Sequence, residues 1–194
     1  ADPRIVQDPK PIGHITYAEL RELAFMGASV LHEESVQPVK EKGIALNIRN
    51  TNCPEHPGTI IVDKSEREER DERLVTGIAG RKNFTILTVS KRNMNASQTL
   101  CRTLEIFDHY HAAVEHISLG LDSFGLVTST AALGDALYSL MGDIEKQCHP
   151  EDLRVQDGIA LVAAVGRKMT FRPGISGKIF KALGEEGINI RTIA

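Results

Sequence analysis

Cysteine and histidine side chains, the usual ligands of zinc, recur through the middle of the chain. They are Cys101, His109, His111, His116, Cys148 and His149. Their spacing contains neither a paired CxxC nor an HExxH motif, so it matches no familiar zinc pattern. We interpret them as ordinary surface or core residues and predict no metal site.

The stretch GIAGRK, which begins at Gly77, is a candidate for a phosphate-binding loop because glycines let a backbone approach a pyrophosphate closely. It lacks the GxGxxG spacing that a dinucleotide-binding turn requires. The sequence therefore gives poor support to a dinucleotide-binding domain.

The composition indicates a globular protein with small-molecule or protein partners. Of the 194 residues, 41% are hydrophobic, which is too many for a disordered tail. The net charge of -3 gives no long-range attraction to nucleic acid or anionic lipid. Because the chain has no tryptophan and only 5% aromatic residues, it offers few platforms for base stacking, and we expect no nucleic-acid partner.

The cysteines and the hydropathy pattern indicate the compartment. Cys53, Cys101 and Cys148 are an odd number without CxxC spacing, which fits a reducing cytosol better than a disulfide framework. We identify no signal peptide, and no apolar stretch approaches the roughly 18 residues of a membrane span. We predict a cytoplasmic protein that does not bind membranes.

The second half of the chain contains two copies of one pattern. The later copy runs from GIALVAAV at Gly158 through a glycine turn and a helix to INIRTI, in which Ile188, Ile190 and Ile193 predict a strand. Moved back by about 76 positions without a gap, this copy overlays the stretch from Phe84 to Ile117. Two copies of one module are therefore predicted.

The earlier copy continues through a complete module. FGLVTS predicts a second strand of a hairpin, AALGDALYSLMGDIEKQ carries the apolar stripe of one helix, and LRVQ predicts a short last strand. The order βαββαβ predicts a four-stranded antiparallel sheet with two helices on one face, the ferredoxin-like sandwich. The later copy stops after its second strand, so we predict that it is incomplete in this chain.

The first part of the chain reads as a separate α/β piece. We predict a helix from Tyr17 to Leu31, a strand in GIALNIRNT, and a turn followed by a last strand in NCPEHPGTIIV. The stretch DKSEREERDER, residues 63–73, is too charged to bury and is interpreted as a solvated linker. The predicted fold class is α+β.

Five stretches, in one order, resemble the C-terminal part of an aspartokinase: ADPRIV, ITYAELRELAFMGASVLHEESVQPV, IALNIRNTNCPEHPGTII, VTGIAG, and GIALVAAVGRKM with PGISGKIFKALGEEGINIRTIA. In this family one ACT domain is inserted into another, so the resemblance implies that a strand near Val75 to Ala79 completes the later sheet. The implied organisation is an amino-acid kinase piece at 1–62, the linker at 63–73, an ACT domain at 84–157, and a second, incomplete ACT domain at 74–83 and 158–194.

The resemblance also implies what the parent enzyme does. Aspartokinases phosphorylate the side-chain carboxylate of L-aspartate with ATP and Mg²⁺, in the synthesis of lysine, threonine and methionine. The family's phosphate-binding lysine, its Gly-Gly-Thr-Ser loop and its aspartate-binding residues do not occur in this sequence. Because positioning and charge neutralisation dominate phosphoryl transfer, we expect no catalytic residue here, no activity of this fragment alone, and no tight binding of ATP or Mg²⁺ by it.

Three residues match positions that contact nucleotide in the family. Asp2, Pro3 and Arg4 form the motif whose arginine lies by the phosphates, where a guanidinium gives forked hydrogen bonds. Asp2 and Arg4 are therefore implied nucleotide contacts of the parent, and the alternative interpretation is a frayed terminus. Ser29 is the third candidate, although many members carry a lysine at its position.

The resemblance further implies an amino-acid effector site in the first ACT module. Such a site binds a carboxylate through backbone amides at a helix start and binds the amine through an acid. The implied acid is Glu115 on the second strand, with Asp122 and Ser123 close behind, and the implied loop residues are Met94, Asn95, Ser97 and Gln98. Gln98 stands where the family usually has glycine, so its side chain could obstruct the ligand. The alternative is that Ser97 is only a helix cap and Glu115 an exposed strand residue.

The leading hypothesis is thus the C-terminal part of an aspartokinase that senses an amino acid, with lysine as the first candidate and threonine as the second. Because ACT modules leave sheet edges open and the family pairs them between subunits, we expect a homodimer. The alternative is a non-catalytic ACT module that acts in trans as a sensor or a dimerisation unit.

Overall fold

A computed structural model describes residues 6–28, 31, 33–63, 75–93, 95–166, 169 and 172–193. The chain divides into two compact units, one of residues 1–81 and 162–188 and the other of residues 82–161 and 189–194. Apart from Asp63, the predicted linker lies outside the described residues. The domain boundaries predicted from the sequence stay predictions.

The first unit contains a small mixed sheet covered by helices. Its strands have the order β1-β3-β2, with β1 parallel and β2 antiparallel to β3. A buried cluster packs between sheet and helices: Ile15, Tyr17, Leu20, Leu23, Val36, Ile61, Ala79 and Val165. Its elements are β1 (His14–Thr16), α1 (Tyr17–Phe25), α2 (Glu33–Glu41), β2 (Leu46–Ile48) and β3 (Thr59–Val62).

Helix α1 ends at Phe25, so the predicted extension to Leu31 is wrong. Gly27 adopts φ +97°, a left-handed conformation that glycine tolerates and that cannot continue a helix. The N–H of Gly27 donates to the carbonyl of Ala24, and that of Ala28 donates to the carbonyl of Leu23. This pair of bonds is a Schellman motif, which satisfies the last carbonyls of the helix. The apolar periodicity continued past Gly27 and concealed the stop.

The second unit has the βαββαβ order that the sequence predicts, which confirms the ferredoxin-like fold. Its sheet has the order β5-β6-β4-β7, and β6 pairs antiparallel with both β4 and β5. Buried side chains on α5 recur every fourth residue, at Leu140, Ile144 and Cys148, and so form one helical face. The elements are β4 (Gly77–Ser90), α3 (Ala96–His109), β5 (Val114–Leu119), β6 (Ser123–Ser129), α4 (Thr130–Leu133), α5 (Leu137–Cys148) and β7 (Asp152–Val165).

Strands β4 and β7 are each 14 residues long and contain residues of both units. Each joins two segments that the sequence analysis treated as separate strands. The predicted strand near Val75 begins at Gly77 as the first part of β4, and LRVQ is continuous with GIALVAAV in β7. Asn83 (φ 67°) and Gly158 (φ 75°) are the positive-φ residues within these strands. Asparagine and glycine are typical of turns, so the sequence predicts a strand boundary at these two positions, where the structure has a local irregularity within one strand.

Two further expectations are corrected. The single helix predicted over AALGDALYSLMGDIEKQ is interrupted at Gly134 (φ 43°, ψ -133°), where a short 3₁₀ turn, Gly134–Ala136, separates α4 from α5. The predicted helix of the later copy is present as α6 (Ile175–Glu185), but residues 188–193 are not a strand. A strand requires backbone pairing with a neighbour, and the alternating isoleucines alone do not supply one.

Candidate functional site

The predicted effector residues that the structure describes lie mainly where β4 leads into α3. Asn95 is the N-cap of α3, and its side-chain oxygen accepts a hydrogen bond of 3.2 Å from the N–H of Gln98. Ser97 occupies the second position of the helix, so the alternative interpretation of Ser97 as the cap is wrong. Met94 and the nucleotide candidates Asp2, Arg4 and Ser29 lie outside the described residues.

The hairpin between β5 and β6 brings two more predicted residues to the same end of the sheet. Ser123 pairs with Ser90, the last residue of β4, and the N–H of Lys91 donates to the carbonyl of Asp122 at 2.9 Å. The N–H of Gly120 donates to the carbonyl of Ser123 at 2.7 Å, which closes the hairpin. The structure therefore brings Asp122 and Ser123 next to the segment that enters α3.

Glu115 lies near the opposite end of the sheet. It falls in a bulge of β5, between the pairs Val114 with Thr128 and His116 with Val127. At the hairpin end of β6, Phe124 pairs with Leu119 and lies four residues from Thr128, which corresponds to about 13 Å at about 3.3 Å per residue. Within one module, Glu115 is therefore not grouped with the residues at the α3 start.

The α3 start has the chemistry of a carboxylate-binding site. An α-helix leaves its first N–H groups without helical partners, and the positive end of its dipole lies there. In α3 the Asn95 side chain occupies the N–H of Gln98, while Ala96 and Ser97 precede that residue in the first turn. Amides in this arrangement bind anions.

Basic residues next to this segment hold the surrounding elements. The ammonium of Lys91 donates to the carbonyl of Cys148, the last residue of α5, at 3.3 Å. The Arg92 guanidinium pairs with the Glu151 carboxylate at 3.1 Å. These bonds connect the residues after β4 to the end of α5 and to the segment that precedes β7, and the ion pair lies at the surface, since the Arg92 side chain is 81% exposed.

Sequence analysis missed one buried ionisable residue, Glu19 in the first unit. Its Oε2 accepts hydrogen bonds of 2.8 Å from both the N–H and the hydroxyl of Thr16, and the Thr16 hydroxyl accepts from the N–H of Glu19 at 3.2 Å. These reciprocal bonds form a capping box at the start of α1. The signal was present in the sequence as a threonine followed three residues later by a glutamate.

Two tyrosines have altered acidity. The Tyr110 hydroxyl donates to Asp143 Oδ2 at 2.7 Å, and this hydrogen bond, with burial and the Asp143 charge, raises the pKa of Tyr110 above its usual 10.0. The Tyr17 hydroxyl donates to the carbonyl of Ile44 at 2.7 Å, and burial together with the Asp63 charge raises the pKa of Tyr17. Both hydroxyls serve as structural donors.

The described residues form neither a metal cluster nor a membrane-spanning helix. Across those residues, no three histidine, cysteine or acidic side chains cluster in a way that could hold a metal ion. Among the helices of those same residues, none is long and apolar enough to cross a bilayer.

Comparison with known protein families finds two matches, in the order that the sequence predicts. The model of the amino acid kinase family matches residues 1–50, and a model of the ACT domain matches residues 162–194.

Similar proteins of known sequence or structure are aspartokinases. The solved aspartate kinase of Clostridium acetobutylicum is 44% identical with a TM-score of 0.92, over 100% of this chain and 45% of that one. Aspartokinase 3 of Bacillus subtilis is 32% identical over 99% of this chain and 42% of its own length. The E. coli aspartokinase III complex with lysine and aspartate is 30% identical with a TM-score of 0.74, over 100% of this chain and 42% of that one. The chain thus spans less than half the length of these relatives.

Proposed function

We propose that this chain, which is similar to aspartokinases over its whole length, is the C-terminal part of an enzyme that phosphorylates the side-chain carboxylate of L-aspartate with ATP. The observation that carries the proposal is the succession of a kinase-family match, a complete βαββαβ unit and an ACT match along one chain. In the parent enzyme, Asp2, Arg4 and Ser29 would contact the nucleotide, whose phosphates Mg²⁺ would neutralise. We place the enzyme in the cytoplasm, which agrees with its three free cysteines.

The second unit is proposed to bind an amino acid that regulates the enzyme. The α3 start offers amides for a carboxylate, and Asp122 at the same end of the sheet offers an acid for an amine. Lysine is the first candidate and threonine the second, since the similar E. coli aspartokinase III was solved with lysine. The N–H of Gln98 donates to the side chain of Asn95. Whether Gln98 obstructs the amino-acid ligand therefore depends on its side chain alone.

Homodimer formation is proposed through the edge of the four-stranded sheet. Strand β5 is an edge strand, and such strands present backbone groups that can pair with another chain. Ile117, Leu119 and Leu121 on or beside this edge are 37%, 67% and 90% exposed, respectively. A second copy placed against β5 would cover these side chains and complete the hydrogen bonding of the edge.

The effector proposal is tested by thermal unfolding of this chain with L-lysine or L-threonine in excess. A ligand at about 100 times its dissociation constant adds roughly 2.7 kcal/mol to native stability. We expect L-lysine to raise the unfolding midpoint and D-lysine, which has the same charge, to have little effect. Asp122→Asn should weaken the response, whereas Asp135→Asn, in the 3₁₀ turn between α4 and α5, should not. The effector proposal fails if no amino acid changes the midpoint.

The catalytic proposal is tested with the full-length polypeptide that carries this chain. Aspartate-dependent formation of ADP from ATP is the expected activity. If the full-length polypeptide binds lysine but does not phosphorylate aspartate, the alternative of a non-catalytic ACT sensor replaces the kinase.

A further inference from the structure

The second oxygen of the buried Glu19 carboxylate connects to a distant part of the first unit. Only 4% of Glu19 is exposed, and a buried carboxylate is costly unless it is hydrogen-bonded. Its Oε1 accepts a hydrogen bond of 2.6 Å from the hydroxyl of Thr76, which lies 57 positions further along the chain. The capping box therefore uses only one of the two carboxylate oxygens.

Thr76 is in turn fixed to the two long strands. It immediately precedes β4, and its N–H donates to the carbonyl of Val165, the last residue of β7, at 2.7 Å. Strands β4 and β7 are neighbours in the four-stranded sheet, and their remaining residues contribute to the second unit. A shift of β4 along β7 would therefore displace the Thr76 hydroxyl.

On the other side of the carboxylate, Thr16 belongs to the small sheet of the first unit. Thr16 is the last residue of β1, pairs with Val62 of β3, and is the N-cap of α1. The Glu19 carboxylate is thus hydrogen-bonded both to the junction of β1 and α1 and to the residue at which β4 and β7 meet. Hydrogen bonds are stronger in a buried site than in water, so a displacement of the Thr76 hydroxyl would move the Glu19 side chain and, through it, Thr16.

We propose that Glu19 is a positioning residue that transmits movements of β4 and β7 to the junction of β1 and α1, and so couples effector binding to catalysis. This rests on the proposed function, because it assumes that the second unit binds an amino acid and that the first belongs to a kinase. A link of this kind produces allostery only as a coupling free energy between the two sites.

The test uses the full-length polypeptide with Thr76→Val, which removes the hydroxyl and keeps the β-branched shape. Thr59→Val is the matched control, since Thr59 donates a similar 2.6 Å hydrogen bond to the carbonyl of Ile12 in the same unit. We measure kcat/KM without effector, the lysine Kd by calorimetry, and the factor by which aspartate and ATP change that Kd. Thr76→Val should keep the first two values and reduce the coupling factor at least about 5-fold. Thr59→Val should match the wild type in all three.

A coupling factor that is unchanged in Thr76→Val overturns the inference, and so does an equal loss in Thr59→Val. Amide hydrogen exchange at Thr16 and Glu19 gives a readout that needs no effector, and it should be faster in Thr76→Val than in the wild type or Thr59→Val. If the wild-type enzyme does not respond to lysine, the proposal that lysine is its effector fails. The amide exchange rates at Thr16 and Glu19 then decide the positioning role of Glu19. Unchanged rates in Thr76→Val overturn that role, and faster rates support it.

Discussion

At the residue scale, the hydrogen bond from Tyr110 to Asp143 predicts how stability depends on pH. The bond raises the folded-state pKa of Tyr110, so its stabilising contribution is complete below the ordinary tyrosine pKa of 10.0 and is lost as the pH rises through the raised value. Tyr110→Phe should therefore lower the free energy of unfolding near neutral pH, and its difference from wild type should shrink in strong alkali. Denaturant unfolding across this range measures the difference. Tyr138→Phe is the control because Tyr138 is 83% exposed; an equal effect there would contradict the prediction.

At the scale of the elements, Gly58 fixes the turn between β2 and β3. It has φ +79°, and a Cβ added there would lie 2.2 Å from the carbonyl oxygen of Ile48. Gly58→Ala should destabilise the first unit by more than about 1 kcal/mol, because neither the dihedral nor the space suits a side chain. Gly142→Ala is the contrasting control: Gly142 lies within α5 with open space around it, so alanine should stabilise that helix by up to about 1 kcal/mol. Urea unfolding measures both, and a neutral Gly58→Ala would contradict the argument.

The elements also show what sequence patterns could predict. Helix α5 was predictable because its side-chain period of 3.6 is a local property, and β6 was predictable because it is a short apolar run that follows a turn. Periodicity does not contain the backbone conformations or partners that end α1 at Gly27, merge two segments into β4, and leave residues 188–193 outside a strand. In the candidate site, position after β4 predicted the α3 start. The separation of Glu115 from it depends on strand register. The capping box of Thr16 and Glu19 was visible in the sequence, but the burial of Glu19 and its bond to Thr76 depend on tertiary structure.

At the scale of the whole molecule, the edge strand β5 with its exposed Leu119 predicts the mode of association. Leu119→Lys should weaken the proposed dimer while preserving the fold, because a charged edge residue opposes pairing of two strands. Sedimentation velocity measures the assembly and circular dichroism the fold. Tyr138→Lys is the control, since this exposed residue belongs to α5 and not to the edge. If Leu119→Lys leaves the assembly unchanged, a different surface forms the dimer.

The path of β4 and β7 also determines how the second unit is joined to the rest of the chain. The bonds from Thr76 to Val165 and from Thr85 to Asp157 show that the two strands run antiparallel, as the arms of a hairpin do. Residues 82–161 leave one arm and return to the other, so the two ends of this segment lie on adjacent strands, which are about 5 Å apart in a sheet. Insertions whose ends are close cost the host little, because no long loop must be closed. The second unit therefore leaves and rejoins the chain on adjacent strands, the arrangement in which an inserted segment disturbs its host least.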